Sequence, residues 1–159
     1  YLVLFDAATE NLYATALSID ELKRRLDDVK AGVQVIVLES CYAGPVGRKV
    51  LERTPTADLE IKPRTIREMG SRRGRIILSA SSGRQVAMGV EKIGETGEVI
   101  KGGLFTHYLL EALGDGRRRL VQRCFKTAWD NTRRAANLLG STQEPQKYGD
   151  QNVDVILRK

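Results

Sequence analysis

Apolar positions along the chain follow two kinds of pattern. Residues 2–5 and Val33 to Leu38 form short runs rich in leucine, valine and isoleucine and without regular alternation. Such runs are expected of strands buried on both faces of a parallel sheet. Between them, Ser18-Ile-Asp-Glu21 is a capping box, in which Ser18 accepts from the Glu21 amide and Glu21 reaches back. The helix it opens carries Leu22, Leu26 and Val29 on one stripe and is expected to stop at Gly32. A strand, helix, strand unit of this length requires parallel strands and a right-handed crossover.

Further along, Arg75 to Ser79 reads as a third strand and Asn152 to Arg158 as a fourth. Two helices are predicted between these strands. The first has Leu104, Phe105, Tyr108, Leu109 and Ala112 on its apolar face and closes at Gly114. The second runs from about Arg118 to Leu139, with Val121, Cys124, Phe125, Ala128, Thr132, Ala135 and Leu139 at helical spacing and arginines opposite. Residues 52–74 and the glycine-rich residues 89–102 read as loops, with a short helix at Pro63 to Met69 inside the first. This alternation predicts an α/β fold: one domain over residues 1–159, a three-layer α/β/α sandwich around a mostly parallel sheet.

Composition agrees with a single domain. At 159 residues, with 42% hydrophobic and 29% charged side chains, the chain is long enough to bury a core without staples or metals. No apolar run approaches the roughly 20 residues needed to cross a bilayer, so no membrane partner is expected. Two cysteines are too few for a disulfide framework, which favours a reducing, cytoplasmic setting. The net charge of +6 could mark a nucleic-acid surface. The excess is local, though: Arg117 to Arg119, Arg123, Lys126, Arg133 and Arg134 share one helix, and Arg72, Arg73 and Arg75 are assigned to a loop. No interleaved aromatics and no zinc-ligand spacing accompany them, so they read as solvated faces and nucleic acid is not an expected partner. Tyr1 to Phe5 begins mid-strand, and the chain is expected to lack its natural start.

Val35-Ile-Val-Leu-Glu39-Ser40-Cys41-Tyr42-Ala43-Gly44 carries the candidate chemistry. It sets an acid and a thiol just beyond the carboxyl end of a predicted parallel strand, the edge at which open α/β sheets build their sites. Small residues around Cys41 leave room for another chain to approach the sulfur. Cys124 lies on an apolar stripe and reads as core.

Glu39-Ser-Cys-Tyr-Ala-Gly44 resembles the acid-x-Cys-x-small-Gly motif of caspase-like cysteine peptidases, the group that includes metacaspases, clostripain and legumain. Two further blocks follow in the same order as in that family, Ile76 to Ser82 with Gln85 to Ala87, and Gly102 to Thr106 leading into Leu109 to Leu113. The resemblance implies that Cys41 is the nucleophile, that its amide is an oxyanion donor, and that an acyl-enzyme forms and is hydrolysed. It also implies that Glu39 lies at the bottom of the S1 pocket and selects a basic P1 residue, while Ser79, Ala80, Ser81 and Ser82 flank the substrate. The partner expected on this basis is a protein or peptide with arginine or lysine at P1. The family's catalytic histidine, in a His-Gly motif upstream of a strand resembling Tyr1 to Phe5, is not in this sequence and is expected from an upstream fragment of the same precursor. The one histidine present, His107, reads as a helix-face residue. Calcium activates some metacaspases through an acidic cluster, but Gly44 to Lys49 holds no acid, so neither calcium nor any other cofactor is expected. Basic residues over 52–74 form a possible self-processing segment. The alternatives are an inactive caspase-like scaffold that binds protein partners and, less favoured because no Gly-rich phosphate loop follows either early strand, a nucleotide-binding α/β domain.

Overall fold

The computed structural model describes residues 2, 8, 11–39, 63–82, 85, 87–93, 99–115, 120–150, 155 and 156. In chain order the described elements are α1 (Leu12–Thr15), α2 (Ile19–Asp28), β1 (Gln34–Leu38), α3 (Pro63–Gly70), β2 (Arg75–Ser79), β3 (Gly89–Ile93), β4 (Val99–Gly103), α4 (Leu104–Gly114), α5 (Val121–Leu138) and β5 (Gln146–Gly149). They make a mixed α/β fold.

Strand β2 is the middle of a three-stranded sheet. It runs parallel to β1, with Gln34 opposite Arg75 and Leu38 opposite Ser79, and antiparallel to β5, with Ile76 opposite Gly149. All five β2 residues are buried, and their alternation divides the core. Ile76 and Leu78 join Leu104, Phe105, Tyr108 and Leu109 of α4 and Val121, Cys124 and Ala128 of α5. Ile77 joins Ile66 and Met69 of α3, with Leu22 and Leu26 of α2 packed against them. Helices therefore cover β2 on both faces.

The amphipathic patterns of α4 and α5 fold as expected, with the predicted apolar residues buried except Phe125 and Leu139, which are partly buried against the same core. Phe105 and Phe125 meet edge to face, ring centroids 6.0 Å apart. Cys124 is fully buried, its thiol donating to the Ala112 carbonyl at 3.3 Å. Ser18 caps α2 by accepting from the Glu21 amide. The helix ends at Asp28 rather than near Gly32, because its last carbonyls are claimed by other parts of the fold. Gln34 Nε2 donates to the carbonyls of Leu26 and Val29, and the Arg72 guanidinium donates to those of Leu26, Asp27 and Val29. Val29 is thereby left exposed.

Several sequence expectations are corrected. Strand β1 is not buried on both faces: Val35 and Val37 are exposed. Residues 89–102 are not a loop, since β3 and β4 pair as an antiparallel hairpin from Gly89 opposite Gly103 to Ile93 opposite Val99. The described sheet contains one parallel and one antiparallel pair, the latter supplied by β5, whose Gln146-Lys-Tyr-Gly149 carries no apolar pattern. Arg75 is a buried strand residue, not part of a solvated loop. Of the strand expected at residues 2–5, only Leu2 is described, bridging antiparallel to Leu17, and of that expected at 152–158 only Val155 and Ile156, the latter bridging to Leu120. Among the described residues no helix is long and apolar enough to cross a membrane.

Arg75 ties the carboxyl ends of α2 and α3 to the start of the sheet. Its Nε donates to Gln34 Oε1 at 2.6 Å, Nη1 donates to the Met69 carbonyl at 2.9 Å, and Nη2 pairs with Asp27 at 2.8 Å. Gly74 makes the turn before it at φ 81°, and a Cβ there would lie 2.3 Å from the Gly32 carbonyl oxygen.

Candidate functional site

Parallel pairing sets the carboxyl ends of β1 and β2 side by side. The ladder continues past the strands through the Ala80 amide, which donates to the Leu38 carbonyl at 2.9 Å. Glu39 and the Ser79–Ser82 segment thus leave the sheet at one edge. Ser40 and Cys41 lie outside the described residues.

The Glu39 side chain turns to the amino end of α4. Its Oε2 accepts from the Thr106 amide at 2.7 Å and from the Thr106 hydroxyl at 2.5 Å. Thr106 is the third residue of α4, whose N-cap, Gly103, has no side chain to offer. Glu39 therefore does from another strand what an N-cap side chain does locally, and the positive end of the helix favours its charge. Glycine at 103 makes room for this arrangement: a Cβ there would fall 2.2 Å from Glu39 Cδ, so a larger residue would displace the Glu39 side chain. The other oxygen, Oε1, is buried and accepts no hydrogen bond from any described residue.

Burial raises the Glu39 pKa above the ordinary glutamate value, against the opposing pull of the Thr106 hydroxyl and amide. Between the unfolded and folded pKa values the folded chain holds more protons, so this carboxyl's contribution to stability falls as pH rises through that window. Glu39→Gln is accordingly expected to gain stability relative to the parent between pH 4 and pH 7, read from urea midpoints at the two ends. A constant difference would contradict the shift.

The β2 edge is held by amides. Ser79 Oγ donates to the Ser81 carbonyl at 2.9 Å, and Ser81 Oγ donates to the Gln85 carbonyl at 3.1 Å. Both hydroxyls, buried, are spent inside the loop, and Ala80 is fully buried, while Ser82 is half-buried. Gln143, buried to 1% exposure, donates from Nε2 to the Ala80 carbonyl and accepts at Oε1 from the Met88 amide, both at 2.9 Å. Gln85 Oε1 accepts from the Glu144 amide, and the Met88 carbonyl accepts from the Leu104 amide. One chain of bonds thus runs from the β2 edge through Gln143 to the start of α4, where Glu39 is held.

Thr106, Gly103, Gln143 and Gln85 were not read as site residues from sequence. Gly102-Gly103-Leu-Phe-Thr106 had marked a helix start, which was the available signal for the first two. His107 follows Thr106 on α4, half-buried, with Nε2 3.9 Å from Glu111 and its ring edge-on to Tyr108, as expected of a helix-face side chain.

No protein-family model matches this chain, and neither a curated protein nor a solved structure matches it.

Proposed function

We propose that this chain is the nucleophile-bearing part of a caspase-like cysteine endopeptidase that cleaves after arginine or lysine. The observation that carries the reading is Glu39: a carboxylate at the carboxyl edge of a parallel strand, two residues before Cys41 in sequence, with one oxygen buried and lacking a donor among the described residues. An orphaned buried acceptor is costly, and a guanidinium or ammonium supplies both the missing donor and the opposite charge. The motif resemblance of Glu39 to Gly44 and the placement of Ser79–Ser82 beside Glu39 support the same reading. Helices on both faces of β2 are in keeping with a three-layer α/β/α arrangement of caspase type.

In this reading the Cys41 thiolate attacks the scissile carbonyl carbon, an S–C bond forms, and the C–N bond breaks. The amine leaves with a proton from a histidine upstream of Tyr1, and water then hydrolyses the thioester to release the acid and restore the thiol. Glu39 orients the P1 side chain, and no cofactor enters. The setting is a reducing cytoplasm.

The test compares alkylation by two peptidyl acyloxymethyl ketones that differ only in carrying arginine or aspartate at P1. The arginyl reagent is expected to react faster, and Glu39→Gln to cut that advantage by about 30-fold or more, the cost of unpairing a buried charge. Equal rates for both reagents in the parent would overturn the basic S1 pocket.

A further inference from the structure

The way Glu39 is held fixes how much of its carboxylate a ligand can use. Thr106 donates to Oε2 from both its amide and its hydroxyl, so the two lone pairs of that oxygen are taken, whereas Oε1, buried, has no donor among the described residues. Gly103 leaves the space that lets the carboxylate reach the helix end. We propose that Thr106 is a positioning residue for S1: it commits Oε2 of Glu39 to α4, so that a basic side chain meets a single carboxylate oxygen.

The inference rests on the peptidase reading and adds a specificity to it. Arginine owes its usual advantage over lysine to a planar fork that donates to both oxygens of a carboxylate at once. With Oε2 saturated, the fork gains no second bond from Glu39, and a compact ammonium does as well. Arginine and lysine are therefore accepted almost equally at P1. The two bonds from Thr106 also hold the carboxylate in one orientation, so their loss weakens both ligands and frees the second oxygen for the fork.

The experiment titrates the intact chain with Nα-acetyl-arginine amide and Nα-acetyl-lysine amide, following backbone amide shifts by NMR. The parent is expected to bind the two within about threefold of each other, since no bidentate gain is open to arginine. Thr106→Val, which keeps the amide and removes the hydroxyl, is expected to weaken both by about tenfold and to move the ratio toward arginine. Thr106→Ser should restore affinity and ratio, which separates positioning from general loss of structure. An arginine preference of tenfold or more in the parent overturns the proposal without recourse to any variant. Thr106→Val with unchanged affinities, beside a Glu39→Gln variant that no longer binds, overturns the role of Thr106 and leaves the S1 reading standing. Binding that survives Glu39→Gln, or no binding by the parent, overturns both.

Discussion

Replacing Arg75 by methionine is expected to lower the free energy of unfolding by about 3–5 kcal/mol, although the substitution roughly keeps the side chain's length. Arg75 is 1% exposed and serves three partners from three elements: Gln34 of β1, the Met69 carbonyl at the end of α3, and Asp27 of α2. Methionine fills the space but leaves the Gln34 Oε1 and the Met69 carbonyl without a donor inside the protein, at about 1–3 kcal/mol each. The Asp27 contact adds little, because that carboxylate is 45% exposed. Arg75→Lys should fall between the parent and Arg75→Met, since one ammonium cannot span a fork of three partners. Urea unfolding with an unchanged slope measures the difference, and a loss under 1 kcal/mol would mean that the three contacts do not act in solution.

Gln143→Leu carries the second large effect, about 2–4 kcal/mol, because both ends of the amide are used. Leucine removes the Gln143 partner of both the Ala80 carbonyl and the Met88 amide, beside the buried Ala80 and Ala87. The consequence reaches the candidate site: with the link cut, Ala80 is no longer tied through Gln143 to Met88, whose carbonyl accepts from the Leu104 amide at the start of α4. Hydrogen exchange of the Met88 amide is expected to accelerate far more than that of Ile77 in β2. Uniform acceleration across both would show global destabilisation with no local role for Gln143. Gln85→Ala, which frees only the Glu144 amide near the surface, should cost much less.

What could be read from sequence was whatever depends on near neighbours. The 3.6-residue spacing of Leu104, Phe105, Tyr108, Leu109 and Ala112 placed α4 and its buried face, and the Ser18 capping box placed the start of α2. Partners distant in the chain were not legible. Thr106 stands 67 residues from Glu39, and nothing in either segment announces that a strand-end acid caps a helix. Arg75 looked like one more surface arginine because its partners lie in separate elements. Strand β5 owes its existence to the β2 edge it pairs with, since Gln146-Lys-Tyr-Gly149 has no alternation of its own. In β3 and β4 the glycines outweighed Val90, Ile93, Val99 and Ile100, whose branched side chains suit a hairpin. The apolar run of β1 gave the strand but not its cover, for a run of valines does not say which faces meet another layer.

For the candidate site, the convergence of Glu39 and Ser79–Ser82 at adjacent strand ends, and the means of holding Glu39, came from the fold. The proposed activity turns on the residue two positions further on. The most direct measurement is intact-mass analysis of the chain after incubation with a peptidyl-arginine acyloxymethyl ketone, with Cys41→Ala alongside. The account predicts one added inhibitor mass that vanishes in Cys41→Ala, because the only other cysteine, Cys124, is fully buried with its thiol bonded to the Ala112 carbonyl. No adduct, or one that persists in Cys41→Ala, would contradict Cys41 as the nucleophile.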